Sequence, residues 1–443
     1  MKPNCALDRY FAALRERSAL RYQGRVAQLV GLSIEVEGLR LAIGDLCTIY
    51  PEPGSPGFAA EVIGFRDNRL LVMPFQETQG IRAGSKVVPR AHGFYVPVGH
   101  ALLGRVVNGL AQPIDGRGPL GTTERYSVAN RPPDPLARQP IREPLGTGIR
   151  AIDALLTCGK GQRIGIFAGS GVGKSTSLGM IARHARTDVN VVALIGERGR
   201  EVQEFIARDL GEEGLRRSVV VVSTSDQPAL QRIKAAWVAT TIAEYFRDQG
   251  LDVLLMMDSI TRWAMAQREI GLTVGEPPVV KGYPPSVFAL LPKLLERAGT
   301  ADRGTITGIY TVLVDGDDVT EPIADAARSI LDGHIWLSRK LAHENHYPAI
   351  DILGSVSRLM SALATPEHQR AASRVRDLLA TYRQNEDLVS IGAYVAGTNP
   401  VLDEALALLP QIKAFLCQRA DEAVTYEESL AALLALTGCE ATV

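Results

Sequence analysis

The residues whose types and spacing most clearly predict chemistry lie at positions 168–175 and read AGSGVGKS. They follow the short apolar run IGIF and precede a stretch of helical character, SLGMIARHAR. A strand, a glycine-rich turn, Lys-Ser and a helix, in that order, make a phosphate-binding P-loop. The first position is Ala168 instead of glycine, which removes one flexible hinge but no chemical group.

Each part of this loop has an expected partner on a nucleotide. Backbone N–H groups and the positive end of the helix dipole would surround the phosphates. Lys174 would reach the β- and γ-phosphates, and the Ser175 hydroxyl would hold Mg²⁺. The GxGxG spacing, followed at once by lysine, disfavours a dinucleotide-binding loop. The residues predicted to bind nucleotide here are Gly169, Ser170, Gly171, Val172, Gly173, Lys174, Ser175 and Thr176.

Two acidic residues follow apolar runs further along the chain. Asp258 ends LDVLLMMD, and because open α/β sheets bind ligands at the carboxyl ends of their strands, it could orient the water shell of Mg²⁺. Glu197 follows VNVVALIG and could polarise the water that attacks the γ-phosphate. Spacing alone leaves equally open a solvated loop charge among Arg198, Arg200 and Glu201.

The composition of the chain limits the classes of protein to which these sites can belong. The chain has 443 residues, 46% hydrophobic and 22% charged, which is typical of a globular protein of two or three domains. A net charge of −1 gives no support to polyanion binding. The five cysteines lack CxxC pairs, which predicts reduced thiols. We expect neither a signal peptide nor a membrane span, because the N-terminus is charged throughout and the apolar runs are short.

Periodicity predicts the organisation along the chain. Residues 6–20 have the spacing of a short amphipathic helix that packs on its own protein or docks on a partner or membrane. From Gln23 to about Pro89, short β-type runs predict a small closed sheet. The glycine- and proline-rich passage from Val98 to Pro144 is interpreted as a connection. Apolar strands then alternate with helices, which predicts a parallel sheet covered on both faces.

Beyond about Thr365 the pattern is helical to the end. Thr425 and Glu428 form a capping box before the run SLAALLAL. Pro410 is predicted to break the preceding helix.

Several longer segments then show a resemblance to a known family. They read GERGREVQEFI, MMDSITRWAMAQREIG, EPPVVKGYPPSVFALLPKLLERAG, DGDDVTEPIADAARSILDGHIWLSR and HYPAIDILGSVSRLM. They resemble the catalytic subunits of rotary ATP synthases, and most of all the ATPases of flagellar and type III protein export. The similarity runs from about Tyr22 to near the C-terminus, with the motifs in family order.

This resemblance implies roles for individual residues. Glu197 falls on the catalytic glutamate, where non-catalytic subunits of the superfamily carry glutamine, and Asp258 falls on the Walker B aspartate. Tyr347 falls on the aromatic residue that stacks on adenine. Arg358 falls on the arginine finger, which serves the active site of the adjacent subunit and supplies roughly 10³- to 10⁵-fold in rate. The resemblance also places Arg198 and Arg262 near the phosphates as catalytic candidates.

The fold expected from pattern and resemblance together is α/β. It has a RecA-like P-loop NTPase core, a small N-terminal β-barrel and a C-terminal helical domain. The predicted segments are an N-terminal amphipathic helix at 1–22, a barrel at 23–95, an ATPase domain at 96–365 and a helical domain at 366–443. One chain holding both halves of a shared site implies a homohexameric ring.

The implied reaction is Mg²⁺-dependent hydrolysis of ATP to ADP and phosphate. The resemblance places the ring on the cytoplasmic side of the inner membrane at an export apparatus, peripheral to the membrane. There it would release chaperones from export substrates and promote passage through an export gate. A regulatory stator-like protein would bind the N-terminal helix, and a coiled-coil stalk would sit in the pore.

Other functions stay open at this point. A virulence secretion ATPase is the near alternative, although SVVVVSTSDQPALQRIKAA favours the flagellar group. A hexameric nucleic-acid motor, a proton-coupled synthase subunit and a non-hydrolysing assembly platform are the others, and we expect no nucleic-acid partner. The acidic cluster Asp315, Asp317 and Asp318 is interpreted as a stalk contact rather than a metal site. His343 and His346 are interpreted as polar surface rather than zinc ligands.

Overall fold

The computed structural model describes residues 22–438, apart from 53, 78, 91, 92, 315–317 and 319. The described residues divide into two compact units. One ends at Phe94 and includes Leu272–Glu276, and the other comprises Tyr95–Gly271 and the residues from Pro277 onward. The predicted helix at 6–20 lies outside the described residues.

The first unit contains a closed six-stranded barrel in the order β1-β2-β5-β4-β3-β6. Alternating side chains of these strands fill its interior, among them Ile34, Val36 and Val72, none of them exposed. Asp67 and Asn68 both adopt left-handed backbone angles and make the tight turn between β4 and β5. The predicted barrel is confirmed. Its strands are β1 (Gly24–Val30), β2 (Ser33–Glu37), β3 (Leu46–Tyr50), β4 (Phe58–Arg66), β5 (Arg69–Pro74) and β6 (Lys86–Pro89).

The second unit is built on a nine-stranded sheet with the order β19-β18-β12-β17-β15-β13-β14-β8, and β16 pairs with β17. Its core strands run parallel, and only β16 and β19 are antiparallel to their neighbours. Every residue of β13 and β14 is buried, so both faces of the sheet are covered, as predicted. The strands of this sheet are β8 (Val106–Asn108), β12 (Arg163–Ala168), β13 (Val189–Ile195), β14 (Ser218–Ser223), β15 (Asp252–Asp258), β16 (Gly299–Thr300), β17 (Thr305–Leu313), β18 (Gly333–Leu337) and β19 (Ile350–Ser357).

The passage from Val98 to Pro144 is more than the connection that its composition predicted. Its strand β8 pairs in parallel with β14 at the edge of the large sheet, and two-stranded sheets join β7 (Tyr95–Val98) to β9 (Glu124–Ser127) and β10 (Pro144–Leu145) to β11 (Cys158–Gly159). A buried ion pair fixes the edge strand, because Arg105 Nε lies 2.6 Å from Asp115 Oδ2 and the backbone N–H of Val106 donates to the same oxygen. The prediction failed because a three-residue strand with only two apolar residues is too short a run to signal a strand.

Helices cover this sheet and form the C-terminal part of the chain. They are α1 (Arg150–Leu155), α2 (Lys174–His184), α3 (Gly199–Glu204), α4 (Gly211–Arg216), α5 (Ala229–Asp248), α6 (Ile260–Val274), α7 (Pro285–Leu295), α8 (Pro322–Ile330), α9 (Arg339–His343), α10 (Met360–Leu363), α11 (Pro366–Ser390), α12 (Pro400–Leu416) and α13 (Tyr426–Thr437). A 3₁₀ turn lies at His100–Leu102 and a π-helical turn at Phe205–Leu210. Helices α11 to α13 share one hydrophobic core with the sheet.

The C-terminal helices confirm one local prediction and contradict another. The capping box is present, since Thr425 accepts the N–H of Glu428 and Glu428 accepts the N–H of Thr425. Pro410, however, lies inside α12 and does not break it. Ile412 and Phe415 beyond the proline are buried in the shared core, so tertiary packing outweighs the lost backbone hydrogen bond. The limits of the four predicted segments stay a prediction.

In the part of the chain that the structure describes, none of the helices has the length and apolar character to cross a bilayer. Cys47, Cys158 and Cys417 are free thiols. Burial raises the pKa of the Cys47 thiol to about 12, which makes it unreactive.

Candidate active site

The P-loop connects the carboxyl end of β12 to the first residue of α2. Gly171 and Gly173 have φ values of 78° and 86°, which other residues rarely adopt, so these two glycines shape the turn. Val172 points into the core and is 1% exposed, which anchors the middle of the loop. Ser175 is exposed at the start of α2. The loop thus presents backbone N–H groups and a hydroxyl beside a helix N-terminus.

Three elements bring one ammonium group and two carboxylates together. Lys174 begins α2, Asp258 ends β15, and Glu197 follows β13, which is the neighbour of β15 in the sheet. Lys174 Nζ lies 2.5 Å from Asp258 Oδ1 and 3.3 Å from Glu197 Oε1. All three side chains are largely buried, with exposures of 13%, 6% and 16%. We call these three residues the lysine cluster.

The charges in the lysine cluster do not balance, because two carboxylates share one cation. Burial, and then the nearby charge of Asp258, raise the pKa of Glu197 to about 7, although Lys174 opposes the change. Burial alone would lower the pKa of Lys174, but the two carboxylates outweigh it and the pKa is raised. A hydrogen bond with Glu197 lowers the pKa of Glu201. Glu197 is therefore a carboxylate that can accept a proton near neutral pH.

Thr311 belongs to this site although the sequence did not single it out. It lies near the carboxyl end of β17, fully buried, and its hydroxyl donates to Asp258 Oδ1 over 2.6 Å. The strand contains several hydroxyl residues, so Thr311 becomes informative only once β17 is known to neighbour β15. The second oxygen of Asp258 makes no hydrogen bond within the described residues.

Tyr347 lies against the P-loop. A Cβ atom placed on Gly173 would be 3.4 Å from two carbons of the Tyr347 ring, so the ring packs directly on the loop glycine. Tyr347 is 41% exposed, so a ligand can reach part of the residue. The backbone carbonyl of Tyr347 accepts the N–H of Gln418, and the Gln418 side chain bonds to Gly148 and Arg150. Sequence reasoning missed Gln418, which belongs to the chain segment after α12.

Arg262 and Arg198, the two arginines predicted to lie near the phosphates, differ in their position relative to the site. Arg262 on α6 packs on the turn after β13, since a Cβ on Gly196 would be 2.7 Å from Arg262 Cβ, and its buried Nε has no hydrogen-bond partner within the described residues. Arg198 is 78% exposed and pairs with Glu201 at 3.6 Å. Arg262 is thus placed beside the site, whereas Arg198 points to solvent.

Arg358 lies near the amino ends of the parallel strands, whereas the P-loop lies at their carboxyl ends. Its backbone N–H donates to the carbonyl of Asp332, and the N–H of Asp332 donates to Arg163, the first residue of β12. The P-loop follows the last residue of that strand. The six residues of β12 separate these two ends of the strand by roughly 20 Å. The exposed Arg358 side chain, which contacts the Arg328 carbonyl at 3.1 Å, therefore cannot serve the P-loop of its own chain.

The donor set fits Mg²⁺ bound together with a nucleotide. Asp258 offers an oxygen that no described residue hydrogen-bonds and Ser175 offers a hydroxyl, and oxygen ligands of this kind suit a hard cation that keeps several waters. The described residues contain no group of three or more His, Cys, Asp or Glu side chains that would bind a metal by themselves. Phosphate oxygens and water would have to complete the coordination.

The predictions for the two histidines and for the acidic cluster can also be compared with the structure. His343 is exposed, but His346 is 6% exposed, so its assignment to a polar surface is wrong. Asn345 has a left-handed backbone, after which the chain turns inward and buries the histidine, and burial lowers its pKa. Asp315 and Asp317 lie outside the described residues. The hydrogen bond from the Thr320 hydroxyl, and then the one from Lys281 at 2.9 Å, lower the pKa of Asp318.

A covered parallel sheet, a P-loop lysine and a carboxylate at the carboxyl end of a second parallel strand of the same sheet define the class of P-loop ATPases. Comparison with protein families agrees. The nucleotide-binding domain of the ATP synthase alpha/beta family matches residues 148–357, and the beta-barrel domain of that family matches residues 26–90. The T3SS EscN ATPase C-terminal domain matches residues 364–435.

Whole-chain comparisons are more specific. The chain is 56% identical to the flagellum-specific ATP synthase of Bacillus subtilis, covering 94% of this chain and 95% of that protein. It is 50% identical to the type 3 secretion system ATPase of Xanthomonas euvesicatoria, covering 94% of each. The solved structure of the assembled ATPase EscN from the enteropathogenic E. coli type III secretion system superimposes with a TM-score of 0.89 at 49% identity, covering 94% of this chain and all of that one.

The chain belongs to the ATP synthase alpha/beta family, in the group of flagellum-specific ATP synthases and type III secretion ATPases. The RecA-like core with its barrel and helical domain is thereby confirmed, as is ATP hydrolysis as the activity of an export ATPase.

Proposed function

We propose that the lysine cluster carries out the hydrolysis of ATP, and the convergence of Lys174, Glu197 and Asp258 is the observation that supports this. The P-loop amides and Lys174 would hold the β- and γ-phosphates, and the adenine would stack on Tyr347. Ser175 would bind Mg²⁺ directly and Asp258 would hold it through water. When bound, Mg²⁺ would neutralise phosphate charge.

Glu197 would then act as the general base. It would accept a proton from the attacking water while the water oxygen bonds to the γ-phosphorus and the bond to the bridging oxygen breaks, which leaves ADP and phosphate. Its raised pKa suits this task, because a base that titrates near the working pH combines a useful charged fraction with sufficient basicity. Arg262 beside the Glu197 turn and the exposed Arg198 are further candidates for phosphate contact.

We propose that Arg358 completes the site of a neighbouring subunit in a homohexamer. The reason is geometric, since Arg358 lies across the sheet from its own P-loop and its side chain is exposed. The arginine would stabilise the charge on the transferred phosphoryl group. EscN, a structural relative, is described as assembled.

A mixing experiment tests the shared site. Arg358→Ala subunits and Lys174→Ala subunits should each be inactive, with a loss of roughly 10³-fold or more. Mixed rings should regain activity, because a subunit with an intact P-loop can then receive Arg358 from its neighbour. If the mixture stayed inactive at every ratio, while rings still formed, the shared site would be wrong.

We propose that the ATPase works in the flagellar export apparatus, on the cytoplasmic side and peripheral to the inner membrane. Its partners would be export substrates with their chaperones, the export gate and a stator-like regulator at residues 1–22. A central stalk, which we expect to be a coiled coil, is also proposed, because a second EscN structure, matching with a TM-score of 0.86, was solved in complex with its central stalk EscO. Deletion of the chain should abolish swimming, and unchanged motility would contradict the flagellar role.

A further inference from the structure

Thr311 and Lys174 bind the same oxygen of Asp258. The hydroxyl of Thr311 lies 2.6 Å from Oδ1 and the ammonium of Lys174 lies 2.5 Å from it. Two donors on one oxygen fix the plane of the carboxylate. The other oxygen, Oδ2, is left without a hydrogen bond in the described part of the chain.

The two donors differ in how many acceptors they serve. Lys174 divides its three N–H groups between Asp258 and Glu197, and the proposed function adds phosphate oxygens to its partners. The Thr311 hydroxyl has a single hydrogen, and Asp258 Oδ1 is its nearest acceptor, since the Met257 carbonyl is further away at 3.3 Å. Thr311 is therefore the donor that stays committed to Asp258 when phosphate competes for the lysine.

Burial makes this contact rigid. Thr311 is fully buried, and its strand pairs with β12 and β15 on either side. A β-branched side chain in a central strand has few rotamers available. The hydroxyl is thus held between the P-loop strand and the Asp258 strand.

We propose that Thr311 is a positioning residue that holds Asp258 with Oδ2 directed to the water shell of Mg²⁺. This inference rests on the proposed role of Asp258. Without the hydroxyl, Asp258 would depend on Lys174 alone for its orientation, and the metal would bind less tightly.

The test measures metal binding rather than turnover. Mn²⁺ binding in the presence of ADP, followed by electron paramagnetic resonance, gives a dissociation constant for the full chain. Thr311→Val should raise that constant roughly 10-fold, the scale on which supporting hydrogen bonds act at metal sites. Thr311→Ser keeps the hydroxyl and should bind within about 3-fold of the wild type.

A matched control lies on the same strand. Thr307 is also buried and its Oγ1 accepts the N–H of Gly161 at 2.8 Å, away from Asp258. Thr307→Val should leave Mn²⁺ binding unchanged. If Thr307→Val weakened binding as much as Thr311→Val, or if Thr311→Ser failed to restore it, the hydroxyl would have no special role and the inference would be overturned.

Asp258→Asn separates this inference from the proposed function. Asp258→Asn should weaken Mn²⁺ binding more than Thr311→Val does. If Asp258→Asn weakened binding and Thr311→Val did not, the role of Thr311 would fall and that of Asp258 would stand. If Asp258→Asn had no effect, the proposed metal role of Asp258 would fall, and the inference with it.

Discussion

Buried ion pairs lie at both ends of the strands of the large sheet. In the pair near the amino ends the positive and negative charges balance, whereas in the group at the carboxyl ends they do not. Near the amino ends of the strands, Arg297 binds Glu244 through two hydrogen bonds of 2.7 and 2.6 Å, with exposures of 1% and 0%. Its Nη1 and Nη2 groups also donate to the Val128 carbonyl and the Thr241 hydroxyl. We call Arg297, Glu244 and these two partners the arginine cluster. At the carboxyl ends, by contrast, the lysine cluster has two carboxylates on one ammonium.

This difference separates a structural site from a reactive one. A planar guanidinium matched to one carboxylate leaves no free acceptor and little tendency to exchange partners. An ammonium group shared by two carboxylates binds each less completely and leaves Glu197 ready to take a proton. Strand β12 runs from one end of the sheet to the other. Arg163 at its start makes two hydrogen bonds to Asp332, and the P-loop follows its last residue.

The largest expected effect is on turnover. Glu197→Gln should lower the rate of phosphate release by roughly 10²- to 10⁴-fold, because the general base is removed. The matched control at the other edge is Glu296→Gln, which removes a partner of Arg163 and should change the rate less than about 3-fold. If the Glu197→Gln enzyme released phosphate at the wild-type rate, the proposal that the lysine cluster is the reactive site would be contradicted.

The arginine cluster should respond in stability instead. Glu244→Gln leaves the buried charge of Arg297 without its counterion and should lower the free energy of unfolding by about 3 kcal/mol in urea titrations. Asp325→Asn, which breaks an exposed pair with Arg328, should cost about 0.5 kcal/mol or less. Equal costs for the two variants would show that burial does not distinguish these pairs.

A smaller effect concerns pH. Burial raises the pKa of Glu197 from 4.5 and that of Asp153 from 3.8, in each case to about 7. The folded protein therefore binds these protons more tightly than the unfolded chain does. The stability that they contribute is complete below about pH 4 and is lost as the pH rises to about 7.

Glu197→Gln should remove about 3 kcal/mol of this fall and leave the part due to Asp153. The free energy of unfolding, measured from pH 5 to pH 8, checks the sign and the slope. A stability that rose with pH in the wild type and was unaffected by the substitution would contradict the charge imbalance of the lysine cluster.

Much of this could be predicted from sequence, because the decisive signals are local. The P-loop, the strand end at Asp258 and the strand end at Glu197 each lie within a few consecutive residues. Thr311 could not be found in this way, because its partner lies on a strand that is adjacent in space only. Pro410 misled the prediction, since burial of the residues beyond it keeps the helix intact.

The central claim is that Lys174 holds the triphosphate. Calorimetric titration with Mg·ATP, combined with phosphate release in the same samples, should compare the wild type, Lys174→Ala and Lys160→Ala. Lys160 bridges Glu143 and Asp252, at 3.0 and 2.7 Å, and serves as the control lysine outside the lysine cluster. We expect Lys174→Ala to bind at least roughly 10-fold more weakly and to release no phosphate, with Lys160→Ala close to the wild type. Undiminished binding and hydrolysis by Lys174→Ala would contradict the account.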